Sequence, residues 1–236
     1  MINKNLFSDG QQLDHDGHPL IIERKLSSGL TGEVYLGKLS LPNQPEPVRV
    51  AIKIMKGLDF PLARQMFYKE GETLAFLMHL EDESRDLLDE TLKIAPVYYG
   101  LSEYHSEPDM PGVPYIVMEF ISGREVPFLL KQGLFSEIQS LTIAWHLYRI
   151  LDILHTRLKK SFIDLKFENL WWVENDGKWG GQLKLTDFGT LEEIKGEQKR
   201  GVSRDVLLGG VYLLSMISGH ALEYSIGELK EKPSRS

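Results

Sequence analysis

Cysteine is missing from all 236 residues, and that absence removes disulfides, thiolate metal sites and thiol nucleophiles together. It leaves the compartment open, although a disulfide-free chain sits easily in cytosol. A basic excess is missing too: 27 Lys and Arg stand against 34 Asp and Glu, a formal net charge of −7. Nucleic-acid binders show a basic field, so no nucleic-acid partner is expected. No apolar run is long enough to span a bilayer; the most apolar, Val206 to Ile217, reads as a buried helix. Met1 to Leu6 is too polar for the apolar region of a secretory signal. No internal repeat or low-complexity tract occurs. What is present, 42% apolar residues with mixed charge, is ordinary for a globular protein, and the length suits one core or two small lobes.

The first half reads as strands. Ile21 to Leu26, Val34 to Leu41 and Val48 to Met55 are β-rich runs bounded by Ser-Gly and Pro-Asn punctuation. Leu41 to Pro47 carries three prolines and can only be a loop. From Pro61 to Leu80 the period becomes helical, with Met66, Glu70, Leu74 and Leu77 on one face. An acidic stretch, Glu81 to Glu90, leads to strands at Ala95 to Leu101 and Tyr115 to Phe120, joined by a loop from His105 to Pro114. After Ile121-Ser122-Gly123 the chain turns helical. Ser136 to Lys159 is amphipathic, with Ser136 as candidate N-cap. Short strands at Leu170 to Glu174 and Gln182 to Thr186 hinge on Asn175-Asp176-Gly177, where Asn or Asp before Gly tolerates positive φ. A helix from about Ser203 to Ser218 follows.

Around that hairpin lie the residues with chemistry in them. Asp164-Leu165-Lys166-Phe167-Glu168-Asn169 precedes it and Asp187-Phe188-Gly189 follows it. Phosphoryl transfer to a hydroxyl needs such a set: a base for the proton, a cation for the moving phosphate, and Asn and Asp for magnesium. Upstream, Ser27-Ser28-Gly29-Leu30-Thr31-Gly32-Glu33-Val34 sits between two strands. Gly29 and Gly32 leave backbone N–H groups open to phosphate oxygens. Lys53 ends the apolar run Val50-Ala51-Ile52, where a charge is costly unless paired. Glu70 is the partner expected for it, since Glu72 points about 160° away around the helix. Gly71, beside Glu70, costs the helix about 1 kcal/mol relative to Ala.

From about Ile21 to about Gly219 the chain resembles a protein kinase, on Val50-Ala51-Ile52-Lys53, the Asp164 to Asn169 loop and Asp187-Phe188-Gly189. The resemblance implies an α+β, bilobal fold: a five-stranded antiparallel sheet plus one helix, then a mainly helical, shortened second lobe. The implied division is an N-terminal extension at 1–20, a nucleotide-binding lobe at 21–121, a second lobe at 122–220 and a tail at 221–236. It implies Asp164 as base, Lys166 as stabiliser of the transferring phosphate, Lys53 and Glu70 as the phosphate-holding pair, and Asn169 and Asp187 as Mg2+ ligands. Around ATP it implies Ser27, Gly29 and Gly32 at the phosphates and Val34 and Ala51 over the base. Met118 would guard the back of the pocket, Glu119 and Phe120 would offer backbone groups, and Trp171 would lie under the ring. Asp205 would anchor the catalytic loop.

The chain departs from that family in several places. Ser27 stands where a third glycine is usual. Phe162-Ile163-Asp164 replaces His-Arg-Asp, and Ile163 cannot pair with a phosphate, so a constitutive or partner-controlled enzyme is expected rather than one switched by phosphorylation. Trp171 replaces a modest aliphatic residue; its indole would either stack on the base or fill the slot, and a shift of one would put Trp172 or Leu170 there. Asp205 lies eighteen positions after Asp187, roughly half the family's interval, with no Ala-Pro-Glu between them. In this the chain resembles small bacterial effector kinases. The expectation is an ATP- and Mg2+-dependent protein Ser/Thr kinase, cytoplasmic or delivered into a host cytosol, with a protein substrate and an activating protein partner. A kinase-fold enzyme acting on a small hydroxyl compound and a pseudokinase-like binding module remain open beside it.

Overall fold

Three antiparallel sheets, of six, three and two strands, occur among the described residues. A computed structural model describes residues 6–29, 32–56, 61–83, 95–107, 111–133, 135–176, 180–195 and 200–220. Leu30 and Thr31 of the glycine turn, most of the acidic stretch after Glu83, Gly177 and residues 221–236 lie outside the described residues. By contacts the chain forms two compact units, one of Met1–Leu88, Ala95–Ser122 and Asp187–Gly189, the other of Asp89–Ile94, Gly123–Thr186 and Thr190–Ser236.

The first unit holds β1 (Gln12–His15), β2 (His18–Ser28), β3 (Gly32–Leu39), β4 (Val48–Met55), helix α1 (Pro61–Glu83), β5 (Tyr98–Tyr104) and β6 (Val113–Glu119). Its sheet is antiparallel in the order β1-β2-β3-β4-β6-β5. That is six strands rather than the five expected. The extra one, β1, pairs with β2 through a tight turn at Asp16-Gly17, both at positive φ (53° and 81°), the geometry for which Asp-Gly is suited. The loop expected from His105 to Pro114 is shorter, because β6 already starts at Val113.

Period-two alternation sorts β4 cleanly. Val50, Ile52 and Ile54 are fully buried, while Arg49, Ala51 and Lys53 point to the other face. The buried face joins Leu20, Ile22, Tyr35, Tyr115 and Val117 in one core that Phe7 completes. Phe7 meets Tyr35, Tyr104 and Tyr115 edge-on at 5.4, 5.1 and 6.3 Å. Burying such a ring is worth about 1.5–3 kcal/mol, so the segment before β1 is part of the core.

The second unit holds β7 (Arg124–Glu125), α2 (Val126–Lys131), α3 (Glu137–Thr156), β8 (Lys160–Phe162), β9 (Leu170–Glu174), β10 (Gly181–Leu185), β11 (Leu191–Glu193) and α4 (Arg200–Ser218). Ser136 caps α3 as expected: its hydroxyl accepts from Gln139 N–H at 3.2 Å and the Gln139 carbonyl oxygen accepts from Ser136 N–H at 3.1 Å. That reciprocal box satisfies two donors a helix start otherwise leaves bare. Ile143, Leu147, Ile150, Leu151 and Leu154 bury one face of α3. β10-β9-β7 form one small sheet and β11-β8 another; β7, α2, β8 and β11 were not anticipated.

Candidate active site

In the first unit a strand, a helix and the Asp187–Gly189 segment meet at Lys53. Its ammonium donates to both oxygens of Glu70, at 2.8 and 2.6 Å, and to Asp187 Oδ1 at 3.2 Å. Glu70 is buried with Leu74 and Leu77 on the inner face of α1; Met66 is half-buried there and Glu72 is exposed. Burial works against the charge on Lys53, but Glu70 and Asp187 outweigh it and push the ammonium's pKa up. Burial, with Asp187 nearby, pushes the Glu70 carboxyl up, offset in part by Lys53. At Gly189 a Cβ would lie 3.1 Å from Glu70 Oε2, so the glycine gives the carboxylate its room. Asp187 has φ +63°, a left-handed conformation that Asp adopts more readily than most residues.

The strand register gathers the expected nucleotide-binding positions onto the face that carries Lys53. Val34 pairs with Lys53 and Ala51 with Met118, and directly opposed residues share a face. All four are half-buried. Ser27 lies opposite Val34, and the turn beyond is closed by Gly29 N–H donating to Gly32 C=O at 2.8 Å. Gly32 has a packing reason of its own: a Cβ there would lie 2.6 Å from the Ile54 carbonyl oxygen. Glu119 N–H donates to Val97 C=O at 2.8 Å and Phe120 N–H to Arg49 C=O at 3.3 Å. Both of these amides therefore already have acceptors.

In the second unit the loop after β8 mixes buried and exposed residues. Phe162 and Leu165 are buried, which drives Asp164 and Lys166 outward at 60% and 52% side-chain exposure, 3.3 Å apart. Contacts to its backbone fix this loop. Phe162 N–H donates to the fully buried Asp205 at 3.0 Å, Ile163 N–H to Thr190 C=O at 2.8 Å, the Tyr212 hydroxyl to Leu165 C=O at 2.6 Å, and Thr186 N–H to Asn169 C=O at 3.0 Å. Asp205 also takes His155 Nε2 at 2.8 Å. Burial first, then the carboxylates of Glu168, Asp164 and Asp205, push the Tyr212 hydroxyl far up, so it stays a donor. His155, Tyr212 and Arg204, which donates to Phe162 C=O, were missed by sequence reasoning.

β9 settles which tryptophan faces which way. Leu170 and Trp172 are buried, and Trp172 stacks on His146 at 6.0 Å over Gly181, where a Cβ would be 2.4 Å from the ring. Trp171, between them, is half-buried on the opposite face. The donor chemistry suits magnesium. Asn169 Nδ2 is buried with no partner among the described residues, so the amide is not committed elsewhere. The Asn169 amide oxygen and the Asp187 carboxylate are hard oxygen donors. Among the described residues no cluster of three or more His, Asp or Glu could cage a metal. Among the described residues no helix is long and apolar enough to cross a membrane.

A family model described as the protein kinase domain matches residues 100–213, a stretch that contains the Asp164 loop, Asp187-Phe188-Gly189 and most of α4. With a six-stranded antiparallel sheet and α1 in one unit and three helices in the other, the α+β architecture fits that family. The match and the architecture together support a protein-kinase-like protein, and with it phosphotransfer in general.

Proposed function

We propose that this protein moves the γ-phosphate of ATP, with Mg2+, to a serine or threonine hydroxyl of a protein. The fork from Lys53 to both oxygens of Glu70, with Asp187 at 3.2 Å from the same ammonium, carries the reading. A buried cation held by a carboxylate keeps its charge and its place, ready for an α- or β-phosphate oxygen. Ser27, Gly29 and Gly32 take the phosphates, Val34, Ala51 and Met118 the base, and Trp171 offers it a stacking face. Glu119 and Phe120 offer backbone groups to the edge of the base. Asn169 and Asp187 hold Mg2+, which when bound neutralises phosphate charge.

In the transfer the substrate oxygen forms a bond to γ-phosphorus as the bond to the bridging oxygen breaks. ADP leaves with that electron pair, and Asp164 accepts the hydroxyl proton. Lys166, beside Asp164, steadies the transferred group, and its position favours a protein acceptor over a small molecule. Ile163, half-exposed and apolar, offers no cation to a phosphorylated segment.

Labelled ATP, Mg2+ and a generic basic protein, with D164N beside the wild type, test the reading. Label on the protein with the wild type alone is expected. A thermal shift with Mg-ATP but no label points to a small hydroxyl acceptor. No shift at all contradicts nucleotide binding, since a ligand of the native state must stabilise it.

A further inference from the structure

Arg204 and Asp205, consecutive on α4, hold the two polar groups of one residue in β8. Asp205 takes Phe162 N–H at 3.0 Å and Arg204 Nη2 donates to Phe162 C=O. The same Nη2 reaches Glu192 of β11, 3.2 Å away. β11 and β8 are already paired, Leu191 with Phe162 and Glu192 with Ser161. α4 comes close enough for this because of Gly201: a Cβ there would lie 2.0 Å from Ser161 Oγ and 2.8 Å from Ser161 Cβ. Arg204 is three-quarters buried and its Nε has no partner among the described residues. A guanidinium desolvated to that extent is costly unless its remaining bonds are good. Asp164 lies two residues beyond Phe162, and between them Ile163 N–H is bound to Thr190 C=O.

We propose that Arg204 is a positioning residue for Asp164. Through Phe162 C=O and Glu192 it ties the loop that carries Asp164 to strand β11, with an encoded carboxylate and no phosphate. The proposal rests on the reading of Asp164 as base. Neither Arg204 nor Glu192 touches substrate in it. Their effect reaches the reaction through the backbone of residues 162–164.

The test uses the full chain as wild type, R204A, R204K and E192Q, with K38A on an exposed pair as control. R204A is expected to lower kcat about 10- to 100-fold, as sub-ångström misplacement does, with KM for ATP unmoved. R204K, which keeps a donor, stays within about fivefold of the wild type. E192Q, which removes a half-exposed pair, lowers kcat about two- to fivefold. Hydrogen exchange of the Ile163 amide rises about tenfold or more in R204A, while that of Val117 stays put. Phosphatase treatment of the wild type leaves kcat unchanged.

Wild-type kcat in R204A overturns the proposal, as does an unchanged Ile163 amide; a kcat that falls on phosphatase treatment overturns its phosphate-free part. If R204A fails to fold, E192Q decides, and wild-type kcat with unchanged Ile163 exchange overturns the tie. If the wild type transfers no phosphate, the proposed function fails by itself, and exchange in R204A still decides whether Arg204 holds the loop.

Discussion

Lys53 and Glu70 in the first unit keep only 12% and 4% of their side chains exposed, whereas Lys166 and Asp164 in the second keep 52% and 60%. Both are Lys–carboxylate pairs, yet their physics differ. The first pair is desolvated, so each charge depends on the other and on the fold. The second is screened by water and contributes little to stability. A group that must hold a phosphate gains from rigidity. One that must reach a substrate hydroxyl has to stand at the surface, with its backbone fixed instead.

Asp164→Asn draws the contrast most sharply. Losing a general base costs about 10²–10⁴ in kcat, while stability should stay within about 0.5 kcal/mol, as at most exposed sites. Denaturant unfolding beside the transfer assay measures both; a large loss of stability would mean Asp164 is structural. Lys53→Met is the opposite case. It strands a buried carboxylate and should cost about 3–5 kcal/mol, with K53M/E70L recovering most of that. If K53M unfolds like the wild type, the pair is not desolvated in solution.

A second buried carboxylate in the same unit extends the comparison to pH. Burial pushes Glu33 up, but hydrogen bonds from Lys25, Tyr35, Leu6 N–H and Lys56 outweigh it and hold its carboxyl at about 2 against an ordinary 4.5. A depressed acid stabilises the fold above its unfolded value and stops doing so as pH falls through the folded one. Roughly 2–3 kcal/mol should therefore be present above about pH 4.5 and lost by about pH 2. E33Q should remove that part of the acid dependence; an unchanged profile would contradict the network. Smallest is Ser136→Ala in the second unit, where loss of the capping box should cost about 1 kcal/mol. An unmoved midpoint in urea would show the cap to be idle.

The sequence made the first unit's charges readable because strands and helices have fixed periods. Two residues along β4 return Lys53 to the face of Ala51, and the helical period picks Glu70 over Glu72. Asp16-Gly17 carried an equally plain hairpin signal, and β1 followed from it. The flanking Leu13-Asp14-His15 and His18-Pro19-Leu20 look polar until Phe7 closes over the sheet. The three-residue strands β8 and β11 left no periodic trace. Arg204 with Phe162, and His155 with Asp205, join residues 42 and 50 apart in the chain. No local pattern encodes those contacts; they exist only once α3, β8 and α4 pack. Asp205 was readable only through the family resemblance, from the run Asp205-Val206-Leu207-Leu208-Gly209-Gly210.

Mg-ATP thermal shifts on wild type, K53M and D164N test most directly the claim that nucleotide binding depends on the buried pair and transfer on the exposed one. The wild type and D164N should be stabilised alike, and K53M should lose the shift. A shift kept in K53M, or lost in D164N, would contradict that division of labour.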